Sequence, residues 1–367
     1  MNFDTYDTYV PPYARQPVRE PAASSRDYAR ALQSGELFRA LSGERIGQNL
    51  DPIVEDVVQA QMPLHRVLAR AAGLPEGLTA GEVYSRMIGT GDLAALIVPG
   101  RVELIQAQFS PWVARFMKLF RRIPVTNFND LTVYSLGVSS PVAMSEFSEF
   151  KLGTLTTPTP LETIGLTSNG IAWLLSRHVT INGHTQLMDA MEAQITAVFA
   201  SYFRAALATT LEATDTLEDG SAWFITGNLA TVAGTPSLTT LDHASDMMAQ
   251  QLLPGGQRCG LLPRYLVVPS TLAGTAATLA RAVYEDNSPT PFEVIVLPEL
   301  SGDYYYWVAD PALSPTLGLM TLGNSDRLLN VETFRPNIPV DGVAMRATMD
   351  FRIARLSRAG IVKHPVS

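Results

Sequence analysis

Apolar residues recur at steps of three and four along residues 182–212: Met188, Met191, Ile195, Val198, Phe199, Tyr202, Phe203, Leu207 and Leu211. That spacing makes one wide face of an α-helix. Asn182-Gly183 supplies a turn or cap at its start, and no Gly or Pro interrupts it from His184 to Glu212. Such a helix is roughly 40 Å long and organises whatever surrounds it.

Upstream, residues 26–122 follow the same helical period. Ser24-Ser25 caps a helix running toward Ser42. Asp51-Pro52 opens another, with apolar positions from Ile53 to Leu68. Further helices are expected over Thr79–Met87 and Leu93–Phe120, the last ending on Phe109, Trp112, Phe116, Met117 and Phe120. The pattern changes at Arg121. Short β-type runs fill Pro124–Leu136. Val138–Phe150 and Leu155–Ile171 alternate like the two strands of a long hairpin that bears Glu146, Glu149, Lys151 and Glu162. A polar hairpin of that length is not stable alone in water, so it requires something to lie on. After the long helix, strands are expected at Trp223–Thr226, Tyr265–Val268, Glu293–Leu297, Tyr304–Ala309, Leu329–Phe334, Val343–Leu356 and Gly360–Lys363. Helices are expected at Leu241–Leu253 and Thr271–Tyr284. The class is α+β without regular βαβ alternation.

Residues 1–25 are rich in Tyr, Pro, Ala and Ser, with Pro11, Pro12, Pro17 and Pro21 blocking regular helix. They read as an extended arm or tail. The 367 residues suffice for two or three domains, and 46% are apolar against only 17% charged. A net charge of −8 argues against a nucleic-acid reader held by phosphate contacts. Basic residues are 24 Arg and three Lys (Lys118, Lys151 and Lys363). That bias fits planar pairing at interfaces and equally a GC-rich genome. The single cysteine, Cys259, rules out an internal disulfide or a multi-cysteine metal site. No secretory signal and no membrane-length apolar run is present.

The motifs of chemistry are missing. There is no GxSxG elbow, phosphate-binding GxxxxGK[ST] loop, HExxH pair or CxxC. Gly89-Thr-Gly91 is a turn, and His178 and His184 flank another turn with only Asp189 near. Packing or capping explains them better than metal ligation. Neither a catalytic group nor a cofactor is expected, and the carboxylates of the hairpin read as solvated or intersubunit charges.

The order of parts nevertheless resembles a known family. SEFSEFKLG lies on the hairpin, TIGLTSNGIAWLLSRHVTI enters the long helix, and DFRIARLSRAGIVKHP ends the chain. Together these resemble the major capsid proteins of tailed bacteriophages, the Hong Kong 97 fold, in the prohead-protease-associated form. The resemblance covers residues 85–367. Trp173, Ser176 and Arg177 match its helix entry, and Asp350, Arg352, Arg358, Gly360 and Lys363 match its terminal pattern. It implies an N-terminal arm (1–25), a helical N-terminal region (26–122), an extended loop or E-loop with flanking strands (123–181) and the spine helix of a peripheral domain (182–220). An axial domain (221–325) and C-terminal peripheral strands (326–367) follow. It also implies pentamers and hexamers closing a shell around double-stranded DNA in a virion assembled in the host cytoplasm. Portal protein, prohead protease or scaffold, and a decoration protein are the partners it implies, with packaged DNA touched weakly.

In that setting Arg177, Arg352, Arg355 and Arg358 are expected to pair with Glu146, Glu149 or Glu162 of a neighbour. Some relatives crosslink an E-loop lysine to an asparagine. Lys151 and Asn337 are the residues available for it, and a surface charge is the better reading of Lys151. An encapsulin-type compartment shell shares the fold and is the alternative, and a soluble α+β enzyme stands behind it.

Overall fold

The computed structural model describes residues 24–33, 37, 51–59, 62, 64–75, 78, 82–83, 86, 92–137, 157–176, 185–285, 291–323, 327–334 and 342–366. Its helices are α1 (Ser25–Gln33), α2 (Pro52–Gln59), α3 (Leu64–Ala71), α4 (Asp92–Met117), α5 (Thr185–Glu212), α6 (Leu238–Gln250) and α7 (Ala273–Glu285). Its strands are β1 (Phe120–Val125), β2 (Leu131–Ser135), β3 (Thr159–Ile164), β4 (Thr167–Ser176), β5 (Tyr265–Val268), β6 (Glu293–Val296), β7 (Tyr304–Val308), β8 (Leu317–Leu322), β9 (Leu329–Phe334), β10 (Gly342–Arg355) and β11 (Ile361–Pro365). They form a five-stranded sheet in the order β1-β8-β10-β4 with β9 on β10, a four-stranded sheet β11-β7-β5-β6, and the pair β2-β3.

The chain divides into two units, one of residues 1–105, 172–190 and 331–346, the other of the remainder. In the first, α1, α2 and α3 bury Tyr28, Leu32, Val54, Val57, Val67 and Leu68 among themselves. Asp51 caps α2 as its sequence promises, accepting from the backbone N–H of Ile53 at 3.0 Å. The apolar run expected to continue to Leu68 falls on two helices, α2 and α3, and Pro63, which has no N–H to donate, precedes the second in sequence. The helix expected over Thr79–Met87 lies mostly outside the described residues.

In the second unit the long helix is present. From Ile195 onward its apolar stripe is the core: Ile195, Phe199, Phe203, Leu207 and Leu211 are buried, while Val198 and Tyr202 face outward. Each fully buried side chain of this kind stabilises by about 2 kcal/mol. Phe203 packs edge-on to Phe120 of β1 and tilted against Phe351 of β10, at ring-centre distances of 5.9 and 5.3 Å. The four-stranded sheet carries α6 on β11 and α7 on β5 and β6. Ser237 and Thr240 cap α6 reciprocally.

Three expectations are corrected. First, Leu155–Ile171 is not one strand. β3 pairs with β2, Leu131 lying opposite Ile164, and the chain turns at Gly165-Leu166 into β4 of the large sheet. Residues 138–156 lie outside the described residues. Second, Trp223–Thr226 is a turn, with Trp223 plugged into the core. Third, β8 was not foreseen, yet it is an inner strand of the large sheet, parallel to β1 and antiparallel to β10. Leu317, Leu319, Met320 and Thr321 are all buried, so no alternation marks it.

His364 of β11 is fully buried. Its ring stacks on Tyr305 at 5.3 Å and meets His243 of α6 edge-on at 5.4 Å. Burial, and then the nearby His243, pull its pKa down to about 4. A histidine whose folded pKa lies below its unfolded value must take up a proton on unfolding, so its contribution is complete above about pH 6.5 and is lost as pH falls toward 4. Denaturant unfolding of the wild type between those pH values is expected to lose stability on the order of 3 kcal/mol more than His364→Leu does. Equal slopes for the two proteins would show that His364 is not the titrating group.

Candidate functional site

Arg355 ends β10 on the same face as Phe351 and Ile353, and its side chain is 7% exposed. A buried guanidinium needs carboxylates, and it has two. Nε and Nη2 donate to Glu162 Oε1 at 3.0 and 2.7 Å, and its backbone N–H donates to Glu162 Oε2 at 2.8 Å. Nη1 and Nη2 donate to Asp215 Oδ1 and Oδ2 at 2.9 and 2.8 Å. Glu162 is on β3, which pairs with β2, and Asp215 follows α5. One cation therefore ties the β2-β3 pair, the large sheet and the exit of the long helix. The bonds from Arg355 hold the Asp215 carboxyl below its ordinary pKa, although burial opposes them.

Arg358 makes a second node three residues on. It grips Asp219 with both Nη groups, the Nη2 bond being 2.9 Å, and also donates to the carbonyls of Ala222 and Ser221. Its bonds keep Asp219 below the usual carboxylate range. The turn that follows is clamped from every side. Asn228 Nδ2 donates to the carbonyls of Trp223 and Arg358, and Trp223 Nε1 donates to the carbonyl of Ser357 at 3.0 Å. Gln251 accepts from the Gly360 N–H at 2.7 Å and donates to the Ile361 carbonyl at 2.9 Å. Gly360 has φ +90°, and a Cβ there would come within 2.8 Å of Thr316 Oγ1, so the position requires glycine. Lys363 lies 3.9 Å from the ring centre of Tyr304 and 5.0 Å from that of Phe224, a cation held over aromatic faces while burial lowers its pKa. The run from Arg358 to Lys363 is thus a structural lock in which both charged side chains and backbone groups of residues 358–361 have partners.

Among the residues singled out in the sequence, Glu162 and Arg355 are brought together, but within one chain. The pairing expected across neighbours is corrected for these two by burial: a carboxylate this close to a buried guanidinium is already used. Arg358 is likewise engaged by Asp219 of its own chain. Arg352 is exposed on β10, beside a groove lined by Tyr202 and Thr209 of α5. Trp173 is half-buried on β4. Glu146, Glu149, Lys151 and Arg177 lie outside the described residues. Asp215, Asp219, Asn228 and Gln251 were not anticipated. An acid-rich turn after the long helix and an arginine in phase with Phe351 and Ile353 were the available signals for the first two.

Among the described residues no cluster of three or more His, Cys, Asp or Glu side chains is placed to hold a metal ion, and no helix is long and apolar enough to cross a membrane. The nodes are ion pairs and backbone clamps, suited to holding strands in place. Replacing Arg355 by Met is expected to destabilise the subunit by about 3 kcal/mol, since it leaves the Glu162 carboxylate, only 15% exposed, without its guanidinium. Asp215→Asn, at a side chain 59% exposed, is expected to cost under about 1 kcal/mol. Denaturant melts of the two variants check the order, and a larger loss for Asp215→Asn would displace Arg355–Glu162 as the principal pair.

Comparison with curated proteins gives no match in sequence. Among solved structures, the chain is similar to the virus-like particle of Pyrococcus furiosus at 11% identity and a TM-score of 0.42, covering 72% of this chain and 98% of that one. It is also similar to the capsid of the cyanophage P-SCSP1u at 12% identity and a TM-score of 0.45, covering 69% and 88%. The SrpI encapsulin complex of Synechococcus elongatus PCC 7942 is similar at 12% identity and a TM-score of 0.45, covering 69% and 86%. A family model described as phage capsid protein matches residues 161–364, from the strand that bears Glu162 to the end of the terminal lock, more than half of the chain. The chain belongs to the phage capsid protein family.

Proposed function

We propose that this protein is the major subunit of a phage head, assembling as pentamers and hexamers into a closed shell around double-stranded DNA. The observation that carries the reading is the family match over residues 161–364. Its span takes in the hairpin root, the long helix, the four-stranded sheet and the terminal lock, which are the parts a shell subunit of the Hong Kong 97 kind needs. In this reading 123–181 is the E-loop with its flanking strands, 182–220 the spine, 221–325 the axial domain and 326–367 the returning peripheral strands. Residues 1–25 and 26–122 are the arm and the helical region ahead of them.

The role is structural, not catalytic. The intrachain ion pairs of Arg355 and Arg358 fix the subunit body, which leaves Glu146, Glu149 and Lys151 on the E-loop, with Arg177 and Arg352, for contacts between copies. A net charge of −8 suits an inner wall that touches packaged DNA weakly. Portal protein, a prohead protease or scaffold, and a decoration protein are the partners such a shell recruits.

Electron microscopy of the full chain, expressed alone and with the proteins encoded beside it, is expected to give closed shells or rings of five and six copies. Particles from infected cells are expected to protect double-stranded DNA from nuclease. A chain that stays monomeric under all these conditions defeats the proposal, and shells filled with protein instead of DNA place it with cargo compartments. Reversing Glu149 to Arg is expected to lower particle yield; unchanged yield would remove Glu149 from the contacts.

A further inference from the structure

The four-stranded sheet β11-β7-β5-β6 presents unlike surfaces at its two edges. At the β11 edge, α6 and the turn 225–228 meet Ala359 around a recess of about 430 Å³. The turn is bound to β11 through the Asn228 carbonyl, which accepts from the Lys363 N–H at 2.8 Å. Ile225, Met247 and Leu252 give the recess an apolar lining, and Gln250 and Gln251 add polar atoms. Leu252 is 60% exposed, and Leu229 and Leu253 extend the apolar surface beside it. At the opposite edge, α7 packs on β6 through Ala276, Leu279 and Val283. The next residue, Tyr284, points away from that core and is 82% exposed, the highest value among the large apolar side chains described.

The rims are complementary as well. Arg281 is exposed one turn before Tyr284 on the same helix face. Asp246 is exposed one turn before Gln250 and hydrogen-bonded to it, and Asp242 precedes it by another turn. An aromatic ring with a hydroxyl tip fits a recess of apolar walls and amide groups, because the ring is dehydrated while the hydroxyl keeps a partner. A knob on one edge and a hole on the other edge of the same sheet cannot meet within one copy; they meet between copies set edge to edge.

We propose that the recess between α6 and the 225–228 turn receives Tyr284 of a second copy of this chain, with Arg281 of that copy facing Asp246. Each copy gives a tyrosine on one side and accepts one on the other, so the contact is heterologous and propagates until a ring closes. The inference rests on the shell reading and names one of its subunit contacts.

Disulfide trapping in the full chain tests it. In a Cys259→Ser background, Leu252→Cys and Tyr284→Cys are combined, assembled into particles and mildly oxidised. The expected result is a ladder from dimers to closed rings on non-reducing gels, absent from either single-cysteine variant, since a disulfide needs Cα atoms within about 7 Å. Particles without a ladder, or crosslinking by Tyr284→Cys alone, overturn the contact and leave the shell reading standing. Failure of the unmodified protein to form particles overturns both. If the cysteine variants do not assemble, a charge swap decides. Asp246→Arg and Arg281→Asp are each expected to lower particle yield several-fold, and the double variant to restore it. A double variant no better than the worse single one overturns the contact.

Discussion

A guanidinium taken out of water is tolerable only where carboxylates replace its hydration. Arg355 is held under that condition, and the geometry around it follows. Glu162 must sit where both its oxygens reach the arginine, which fixes β3 against the end of β10. Asp215 must close the other side of the fork, which fixes the chain as it leaves α5. The planar fork has a defined direction as well as a charge, so a lysine at this position would hold neither carboxylate in the same way. The apolar contacts of Phe203 with Phe120 and Phe351 supply burial without direction; the ion-pair node supplies the direction.

The terminal lock applies the same economy to backbone groups. From Ser357 to Ile361, where β11 begins, the strand ladder meets only part of the backbone carbonyls and N–H groups, and those left unpaired would each be costly. Trp223, Asn228, Gln251, Ser314 and Thr316 answer them, drawn from three separate stretches of chain. Residues scattered over about 140 positions thereby converge on one turn. A shell subunit needs a body that keeps its shape while its outlying segments adapt to neighbours, and a turn fastened from so many directions belongs to such a body.

The long helix was legible because a period of three and four survives in residues that face one core. The strands at Tyr265, Glu293 and Tyr304 were legible as short apolar runs bounded by Pro or Gly. β8 was not, because a strand buried on both faces shows no alternation and carries Gly318 as its second residue. The break at Pro63 was visible in the sequence and was overridden by the apolar period on either side. The site was half legible. Arg355, Arg358 and Glu162 were named as charges expected to meet between copies, but their partners within the chain were not, because pairing between residues 193 positions apart leaves no local trace. For the same reason an expected contact between copies turned out to lie inside one.

β1 lies parallel to β8, Phe120 opposite Leu317, and β8 in turn supports β10. A nascent chain leaves the ribosome from its N-terminus, so β1 has no partner until nearly two hundred further residues have been made. The large sheet therefore cannot close during most of synthesis, and a pairing this distant in sequence is slow to find. Until then β1 offers a bare edge to other chains emerging nearby. Arg121, Arg122 and Pro124, exposed on that strand, are the residue types that discourage stray pairing. The strand that waits longest is thus guarded by its own sequence.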